Sequence, residues 1–294
     1  MISFVIVSFR SKELLSECVS ALASQLEKGD EVIVIENGQD WSLEEMAVFR
    51  RQEFHLVMND ENLGYSKGCN QGLALASNKW VALLNPDTQP HLNAVSKLKE
   101  ELTNAEDKDM FALELVNPDG TRQDYYRRFP SATALIVMFF LREKHHCLFP
   151  AYRKYVYHGE LEGQKTFEQP PGAGLVVQRS SRLDEDFFLY GSDLMLCWDF
   201  VQSSKREIPI LPVKFIHHRG QGGTSNSPEL ADWLRVESAR GFALFFAKSN
   251  QNLQKLFWVL GYVLLESAGI LRYVLHPIQR TRRIRRLHKF LKET

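Results

Sequence analysis

Apolar runs and helically spaced apolar positions alternate along the first part of the chain. Continuous apolar runs are typical of strands buried on both faces of a sheet, and the segments with this pattern are Ile2 to Val7, Glu31 to Ile35, Phe54 to Met58 and Trp80 to Leu84. The segments between and after them are predicted to be helical, at Leu14 to Leu26, Trp41 to Arg51, Tyr65 to Ser77 and Gln89 to Leu102. This alternation predicts an α/β fold with a mostly parallel central sheet, flanking helices and right-handed crossovers.

The loops that follow these strands are the expected places for chemistry. In open sheets of this kind, ligands bind beyond the carboxyl ends of the strands, so the loops to inspect are those after Val7, Ile35, Met58 and Leu84. The sequence contains neither GxGxxG nor GxxxxGKS/T. It therefore predicts neither a dinucleotide-binding domain nor a P-loop.

The pattern loosens after Phe111. Asn117-Pro-Asp-Gly120 predicts a turn between two short strands, and beyond Glu229 the chain is expected to be entirely helical. The elements expected in between are an aromatic-rich insert at 131–160, a strand at Gly174 to Gln178 and a helix at Phe187 to Gln202 that is entered through a polar loop. We therefore divide the chain into an α/β domain at residues 1–228 and a helical region with a basic tail at 229–294.

Composition and charge narrow the class of protein. Of the 294 residues, 44% are hydrophobic and 24% are charged, which is ordinary for a globular protein and excludes a disordered or fibrous one. The net charge is +0, but the stretch from Ile278 to Thr294 holds seven Lys and Arg residues and one acid. A basic tail of this kind indicates an anionic partner, either a membrane or nucleic acid, although a solvated helix end has the same composition.

The apolar segment from Leu256 to Leu275 precedes the basic tail. Glu266 and Arg272 interrupt it, and its longest uncharged run has ten residues, whereas a membrane-spanning helix needs about 20. The segment therefore predicts a helix that lies at a membrane surface or packs on the protein core. An ordinary helical subdomain and a homodimer interface are the alternatives.

The cysteines and the N-terminus bear on the compartment. Cys18, Cys69, Cys147 and Cys197 form no CxxC pair, and their spacing fits neither a disulfide framework nor a zinc site. The N-terminal apolar run follows no basic leader, so it is interpreted as a strand rather than a signal peptide. We expect a cytoplasmic protein that is peripheral at the inner face of the plasma membrane.

Two polar clusters follow the second and third predicted strands. In Glu36-Asn37-Gly38 a carboxylate can accept hydrogen bonds from a ribose or a base, but Asn-Gly is equally typical of a simple turn. In the stretch from Asn59 to Gly72, Gly64 and Gly68 allow the backbone to approach a ligand closely. The helix that starts there offers N–H groups to an anion or a base edge; a plain helix cap is the alternative.

Carboxylates and histidines mark the remaining clusters. Asp87, at the end of the fourth strand, is a hard oxygen ligand suited to Mg²⁺ or Mn²⁺, although Asp is also a good helix N-cap. Between Leu183 and Asp193 lie four carboxylates, one of which can act as a general base, or which form an acidic loop and helix start: Asp184, Glu185, Asp186 and Asp193. His217 and His218 can bind a metal or a diphosphate, or are polar surface.

Taken in order, these stretches resemble the inverting glycosyltransferase family 2, in particular its bacterial rhamnosyltransferase-like members. The matching stretches are VIVSF, VIVIENG, NDENLGYSKGCNQGL, LLNPDT, NPDGTRQDYYRRFPS, GAGLVV, LDEDFFLYGSDLMLC and HHRGQGGTS, and they span residues 2 to about 225. The resemblance implies a Rossmann-like fold of the GT-A type and a nucleotide-sugar glycosyltransferase domain at residues 1–228.

The resemblance also implies roles for individual residues. Asp87 looks like the last residue of a degenerate DxD metal motif, with Asn85 at its first position. Asp193 matches the acid that is the expected catalytic base. His217 or His218 matches a histidine near the diphosphate and the metal.

The residues expected to contact the nucleotide sugar lie mostly in the loops after the strands: Ser8, Glu36, Asn62, Gly64, Lys67, Asn70, Asn85 and Arg128. The segment from Asp119 to Arg128 resembles one that lines the donor or acceptor side. Three positions depart from the family pattern: Glu36 replaces the commoner Asp, Ser192 stands where a Glu is usual, and Met195 stands where a second Asp usually follows.

The sequence therefore predicts an inverting glycosyltransferase that depends on Mg²⁺ or Mn²⁺. The expected donor is a dTDP- or UDP-sugar, with L-rhamnose suggested by the resemblance. The expected acceptor is a hydroxyl of a glycan or a lipid-linked molecule in cell-surface polysaccharide synthesis, and no nucleic acid is expected as a partner. A non-catalytic nucleotide-sugar-binding scaffold and a nucleotidyltransferase are the alternatives.

Overall fold

One mixed sheet forms the centre of the chain. The computed structural model describes residues 1–38, 53–106, 109–157, 164–218, 227–273 and 276–294. The strands in these residues are β1 (Ser3–Ser8), β2 (Glu31–Glu36), β3 (Phe54–Met58), β4 (Trp80–Leu84), β5 (Thr88–Pro90), β6 (Phe111–Val116), β7 (Thr166–Phe167), β8 (Gly174–Gln178) and β9 (Ile208–His217). Their order across the sheet is β3-β2-β1-β4-β8-β6-β9-β5, and β7 pairs with β9 beside this path.

Helices flank the sheet and make up the C-terminal part of the chain. They are α1 (Lys12–Ala23), α2 (Tyr65–Leu75), α3 (Ala94–Glu101), α4 (Ala132–Phe140), α5 (Pro150–Tyr155), α6 (Ser192–Ser204), α7 (Pro228–Lys248), α8 (Asn252–Arg272) and α9 (Pro277–Glu293). Short 3₁₀ helices lie at Leu102–Asn104 and Glu143–Leu148. The helix predicted from Trp41 to Arg51 lies outside the described residues.

The first four strands form a parallel half-sheet. β1 pairs in parallel with both β2 and β4, and β2 pairs in parallel with β3. On one face, Leu15 of α1 and Leu98 of α3 share a buried core with Phe4 of β1. On the other face, Leu73 of α2 shares a core with Val5. The parallel sheet with flanking helices that the sequence predicted is confirmed for this half.

The remaining strands make the sheet mixed. β8 runs antiparallel to β4 and β6, whereas β9 runs parallel to β6 and antiparallel to β5 and β7. The pairing of β5 with β9 sets Thr88 opposite His217. The residues just after β4 and those at the end of β9, far apart in sequence, therefore meet at one edge of the sheet.

Two helices begin later than the sequence pattern indicated. Thr88–Pro90 forms β5, and α3 begins only at Ala94, after Asn93 at a left-handed φ of 60°. Pairing with the distant strand β9 here overrides the local helical spacing. Likewise α6 begins at Ser192 rather than Phe187, because Gly191 at a φ of 104° turns the chain just before the helix.

The region between β6 and β8 also differs in detail from the expectation. The turn at Asn117–Gly120 is present, and the N–H of Gly120 donates to the carbonyl of Asn117 at 2.8 Å. Where a second strand was expected, Arg122 forms an isolated bridge with Val116. The aromatic-rich insert contains α4 and α5, and Ser131 caps α4 by accepting the N–H of Ala134.

The C-terminal helices share a core with the rest of the chain. Val236 of α7, Trp258 of α8 and Phe290 of α9 are buried together with Leu135 of α4 and Leu194 of α6. The indole N–H of Trp258 donates to a main-chain carbonyl of α7 at 2.8 Å. The helical region therefore packs directly on α4 and α6, next to the carboxyl edge of the sheet.

Candidate active site

The carboxyl ends of β1, β2 and β4 form the edge on which the site is built. β1 lies between β2 and β4 in the sheet, so the chain order changes direction beside it. This is the switch point at which open α/β sheets bind ligands. Ser8 ends β1, Glu36 ends β2, and Asn85 follows β4.

A first cavity, called here the β1 pocket, opens beside the end of β1. It has a volume of about 290 Å³ and is lined by Val7, Ser8, Phe9, Arg10, Asn37, Asn62, Gly64, Tyr65, Phe188, Leu189, Leu230 and Trp233. Three predicted donor-contacting residues, Ser8, Asn62 and Gly64, therefore come together. Leu230 and Trp233 belong to α7, and the sequence analysis did not single them out.

Glu36 lies beneath this pocket rather than on its surface. Its side chain is fully buried, and its carboxylate accepts the N–H of Gly38. Asn37 is the residue of this cluster that lines the pocket, and its side-chain amide donates to the carbonyl of Gly64 at 3.3 Å. Glu36 therefore fixes the backbone at Gly38, just after the end of β2.

The loop that enters α2 is pinned to the loop that enters α6. The N–H of Tyr65 donates to the carbonyl of Phe188 at 2.7 Å, and the hydroxyl of Ser66 donates to the carbonyl of Phe187 at 2.6 Å. Gly64 has a φ of 86°, and a Cβ there would overlap the Phe188 carbonyl oxygen. Only glycine combines that backbone conformation with so close an approach.

Asn70 and Lys67, which the sequence predicted to contact the donor, do not line the β1 pocket. Asn70 brackets the acidic loop, since its amide donates to the carbonyl of Leu183 and to Glu185, and its oxygen accepts the N–H of Leu183, all at 2.9 Å. These hydrogen bonds fix the loop at Leu183 and Glu185 against α2. Lys67 is exposed and lines a further, open cavity together with Glu185 and Arg240, and this cavity shares Asn62 and Phe188 with the β1 pocket.

The turn after β4 brings Asp87 and His217 together. The N–H and hydroxyl of Thr88 both donate to the carbonyl of Asn85, at 3.1 and 2.7 Å. The N–H of His218 donates to the carbonyl of Asp87 at 2.8 Å. With the backbone fixed in this way, Oδ1 of Asp87 lies 3.4 Å from Nε2 of His217, and both side chains are largely buried.

Gln123 orients the ring of His217. Its side-chain N–H groups donate to the carbonyl of His217 at 2.8 Å and to the side-chain oxygen of Asn117 at 3.1 Å. Because a carbonyl can only accept, the amide oxygen of Gln123 must face Nδ1 of His217, 2.9 Å away. Nδ1 is therefore the ring nitrogen that donates to Gln123, and Nε2 is the one that faces Asp87 and, in the neutral ring, can bind a cation.

The chemistry of these residues fits a divalent cation. A carboxylate oxygen and an imidazole lone pair are ligands of the kind that Mn²⁺ accepts. Nε2 of His218 is also buried, and it has no hydrogen-bond partner among the described residues. No cluster of three His, Cys, Asp or Glu side chains in the described part of the chain is arranged to hold a metal alone. The remaining ligands would thus come from phosphate oxygens and water.

A second cavity, called here the catalytic cleft, lies between the Asp87–His217 pair and α6. It has a volume of about 450 Å³ and is lined by Tyr65, Asn85, Tyr125, Arg127, Met138, Tyr155, Gln169, Pro170, Pro171, Gly172, Ala173, Leu189, Tyr190, Asp193, His217 and Phe242. Asn85, a predicted donor contact, His217, a predicted metal ligand, and Asp193, the predicted base, thus line the same space. Tyr65 and Leu189 also line the β1 pocket, so the two cavities adjoin.

Asp193 sits in the first turn of α6 and is partly buried. Its Oδ1 accepts the N–H of Leu194 at 2.9 Å. A Cβ on Gly172 would come within 2.6 Å of its Oδ2, so the glycine makes room for the carboxylate. Burial raises the pKa of Asp193, and the N–H groups of Leu194 and Gly172 partly oppose that rise by stabilising the charged form.

Arg128 and Ser192 do not line either cavity. The guanidinium of Arg128 lies 4.0 Å from the ring centre of Tyr157 and donates to main-chain carbonyls at Lys154 and Val156. The neighbouring Arg127 lines the catalytic cleft instead. Ser192, at the position where a Glu was expected, is fully buried.

The comparisons with known proteins agree with this architecture. Residues 3–158 match the family described as Glycosyl transferase family 2. No curated protein matches the chain in sequence. Among solved structures, the chain is similar to TarS 1–349 of S. aureus, with 13% identity, coverage of 97% of this chain and 88% of that one, and a TM-score of 0.51.

Two further similar structures were solved with a metal and a nucleotide. Glucosyl-3-phosphoglycerate synthase from Mycobacterium tuberculosis, with Mn²⁺ and UDP, is 16% identical over 84% of this chain and 79% of that one, with a TM-score of 0.51. The mannosyltransferase PcManGT from Pyrobaculum calidifontis, with GDP-Man and Mn²⁺, is 13% identical over 98% and 74%, with a TM-score of 0.52. At these identities the likeness concerns the fold. Since the family match covers more than half of its residues, the chain belongs to glycosyl transferase family 2, on the GT-A fold that it shares with these structures.

Proposed function

We propose that this chain transfers a sugar from a nucleoside diphosphate to a hydroxyl group of an acceptor bound in the catalytic cleft. The observation that carries the proposal is the placement of Asp193 and His217 on the lining of one cleft, with Asp87 at 3.4 Å from the His217 ring. A cation ligand set and a carboxylate base facing one space are the minimum chemistry for such a transfer.

The donor fits across the two adjoining cavities. The nucleoside would occupy the β1 pocket, beside Asn37, Asn62 and Trp233, and the diphosphate would lie toward Asp87 and His217. A bound Mg²⁺ or Mn²⁺ would neutralise the charge of the departing diphosphate. The similar structures solved with Mn²⁺ and UDP or GDP-Man support a nucleotide and a divalent cation as the ligands.

Asp193 would act on the acceptor. Its carboxylate accepts the proton of the acceptor hydroxyl while the oxygen attacks the anomeric carbon and the bond to the diphosphate breaks. A base with a raised pKa is better matched to proton transfer near neutral pH than an ordinary aspartate is. Attack from the side opposite the leaving group inverts the anomeric centre.

The cleft lining suits a sugar as acceptor. Tyr125, Tyr155 and Tyr190 supply ring faces together with hydroxyl groups, and Arg127 and Gln169 supply donors for hydrogen bonds. We take a glycan or lipid-linked acceptor in cell-surface polysaccharide synthesis as the proposed substrate class. The donor is a dTDP- or UDP-sugar, and the transferred sugar that the sequence resemblance favours is L-rhamnose.

A ligand panel followed by a turnover assay tests the proposal. Thermal unfolding is recorded with dTDP, UDP and GDP and with their sugars, each with and without Mn²⁺, because a ligand that binds the folded state raises its apparent stability. We expect one nucleotide to stabilise the protein more with Mn²⁺ than without it, and its sugar to be released or transferred. Absence of any Mn²⁺-dependent stabilisation would contradict the proposal.

A further inference from the structure

One side of α9 carries a row of basic residues that lines a cavity. Residues three or four positions apart lie on the same side of a helix, and four basic residues of α9 have this spacing: Arg282, Arg285, Arg286 and Lys289. All four line a cavity of about 170 Å³, called here the α7–α9 pocket, and its other lining residues are Glu229, Asp232, Trp233 and Val236 of α7. The basic tail of the sequence therefore forms one wall of a pocket.

Two of these arginines share one carboxylate of α7. Arg282 and Arg286 each pair with Asp232 at 2.6 Å. Both oxygens of Asp232 accept hydrogen bonds from these two guanidinium groups. The single negative charge of Asp232 is therefore divided between two positive charges, and it does not neutralise both.

A second carboxylate, from α8, leaves the same imbalance. The side chain of Glu266 is fully buried, and it pairs with Arg283 and Arg286 at 3.0 Å and with Arg235 at 3.5 Å. Taken together, four guanidinium groups surround two carboxylates: those of Arg235, Arg282, Arg283 and Arg286 around those of Asp232 and Glu266. The network therefore has two positive charges in excess. Because it is partly buried, salt screens this charge less than it screens a surface charge.

Arg285 and Lys289 add positive charge to the pocket. In the described part of the chain, neither side chain forms an ion pair with a carboxylate. Nζ of Lys289 instead lies 5.0 Å from the centre of the Trp233 ring. Besides Asp232, the acidic residue on the lining is Glu229, which is exposed. The lining therefore carries four positive and two negative charges.

We propose that the α7–α9 pocket binds a phosphate group, held by Arg285 and Lys289 beside Arg282. Guanidinium groups present N–H donors in a fork that matches phosphate oxygens, and an ammonium adds a point charge. The pocket is smaller than the roughly 300–1,000 Å³ of pockets that enclose a whole drug-sized ligand, so it suits one small charged group. A soluble phosphate and the headgroup phosphate of a lipid both present this chemistry.

The phosphate pocket adjoins the proposed donor site without depending on it. Trp233 lines both the α7–α9 pocket and the β1 pocket, and its ring lies 5.9 Å from that of Phe188, nearly perpendicular to it. A phosphate here would thus lie near the side chain that borders the proposed nucleoside. Its binding requires neither a metal nor sugar transfer, so this proposal and the proposed function can fail separately.

Calorimetric titration of the full chain with inorganic phosphate tests the proposal. The titration is made at low ionic strength and without a divalent cation, so that the cation-dependent donor site does not contribute. The double variant Arg285→Gln with Lys289→Gln should bind phosphate about tenfold or more weakly. Arg280→Gln with Lys292→Gln is the matched control, because it removes two positive charges from the same helix outside the pocket. This control should bind as the wild type does.

A variant of opposite sign sharpens the test. Glu229→Gln removes a carboxylate that repels the phosphate, so it should bind phosphate more tightly than the wild type. Equal phosphate affinity in the wild type and the Arg285/Lys289 variant would overturn the proposal, and so would an equal loss of affinity in the Arg280/Lys292 control.

Vesicle flotation distinguishes the two sources of the phosphate. The vesicles are phosphatidylcholine alone, or phosphatidylcholine with phosphatidic acid. Binding to the phosphatidic acid vesicles that is lost in the Arg285/Lys289 variant and kept in the Arg280/Lys292 control would assign the pocket to a lipid phosphate. Calorimetric binding without flotation would assign it to a soluble phosphate. Binding of the wild type to neither probe would contradict the proposal.

Discussion

Gln123 contacts His217 twice, through the Nδ1 atom of its ring at 2.9 Å and through its main-chain carbonyl at 2.8 Å. The two contacts together show that Nδ1 is the ring nitrogen that donates to Gln123. The other nitrogen, Nε2, then faces Asp87 at 3.4 Å. Gln123 thus orients the His217 ring toward Asp87, although Gln123 itself lines neither of the two cavities.

Replacing Gln123 should weaken metal binding. In Gln123→Leu, the ring of His217 loses the acceptor that fixes its tautomer and orientation, and changes of this kind typically lower metal affinity about 10–100-fold. The measurement is a Mn²⁺ titration followed by electron paramagnetic resonance. Gln89→Leu is the control, because Gln89 lies next to Thr88 on β5 but bonds Glu17 at the surface. Equal Mn²⁺ affinity in the two variants would show that Gln123 does not orient the ligand.

The sequence predicted the parallel half of the sheet because its strands are mostly apolar and alternate with helically spaced segments. It missed β5 because Thr88–Pro90 becomes a strand only by pairing with β9, far along the chain. Gln123 was missed for a similar reason. It follows a strong turn motif locally, and its contact with His217 spans 94 residues. Such long-range pairings leave no periodic trace in the sequence.

The sequence identified candidate site residues where a chemically suitable side chain lies at a motif position. Asp87 stood out as a carboxylate at the end of a strand and Asp193 through the family resemblance, and the structure places His217, which Asp87 contacts, and Asp193 on one cleft. Asn70 and Arg128 were named from the same motifs, but their side chains hold the acidic loop and stack on Tyr157. A motif gives a residue's neighbours along the chain and not the direction in which its side chain points.

Removing the charge of Asp193 should separate binding from transfer. Asp193→Asn keeps an oxygen that can accept the N–H of Leu194, so we expect Mn²⁺-dependent nucleotide binding to remain. Loss of the base should lower kcat by about 10²–10⁴-fold. Asp199→Asn is the control, since Asp199 lies on the exposed side of the same helix. Undiminished kcat in Asp193→Asn would reject Asp193 as the base.

The pH dependence of sugar transfer should reflect the raised pKa of Asp193. Only the carboxylate form can accept a proton, so activity is lost as the pH falls through the pKa of this group. Burial raises that pKa above the ordinary value of 3.8. The acidic limb of kcat/KM in the wild type should therefore lie at higher pH than an ordinary aspartate would give. An acidic limb at or below the ordinary value would contradict the role of burial.

Gly64 should tolerate substitution less well than a glycine with the same backbone conformation and free space. Gly64 and Gly120 have φ values of 86° and 84°, but a Cβ at Gly120 would meet nothing within 4 Å. Gly120→Ala should therefore cost only the backbone strain, about 1–2 kcal/mol. Gly64→Ala also drives a Cβ into the Phe188 carbonyl, so its loss of unfolding free energy should be larger. Denaturant unfolding of both variants measures the difference, and equal losses would argue against the tight contact.

Calorimetric titration of the preferred nucleoside diphosphate, with and without Mn²⁺, tests the central claim most directly. The claim is that Asp87 and His217 hold the cation that binds the diphosphate. In the wild type and in Asp199→Asn, Mn²⁺ should increase the affinity for the nucleotide. In Asp87→Asn that increase should disappear, while the weaker, metal-independent binding persists. If Asp87→Asn retained the full Mn²⁺-dependent gain, the cation would lie elsewhere and the proposed site would be wrong.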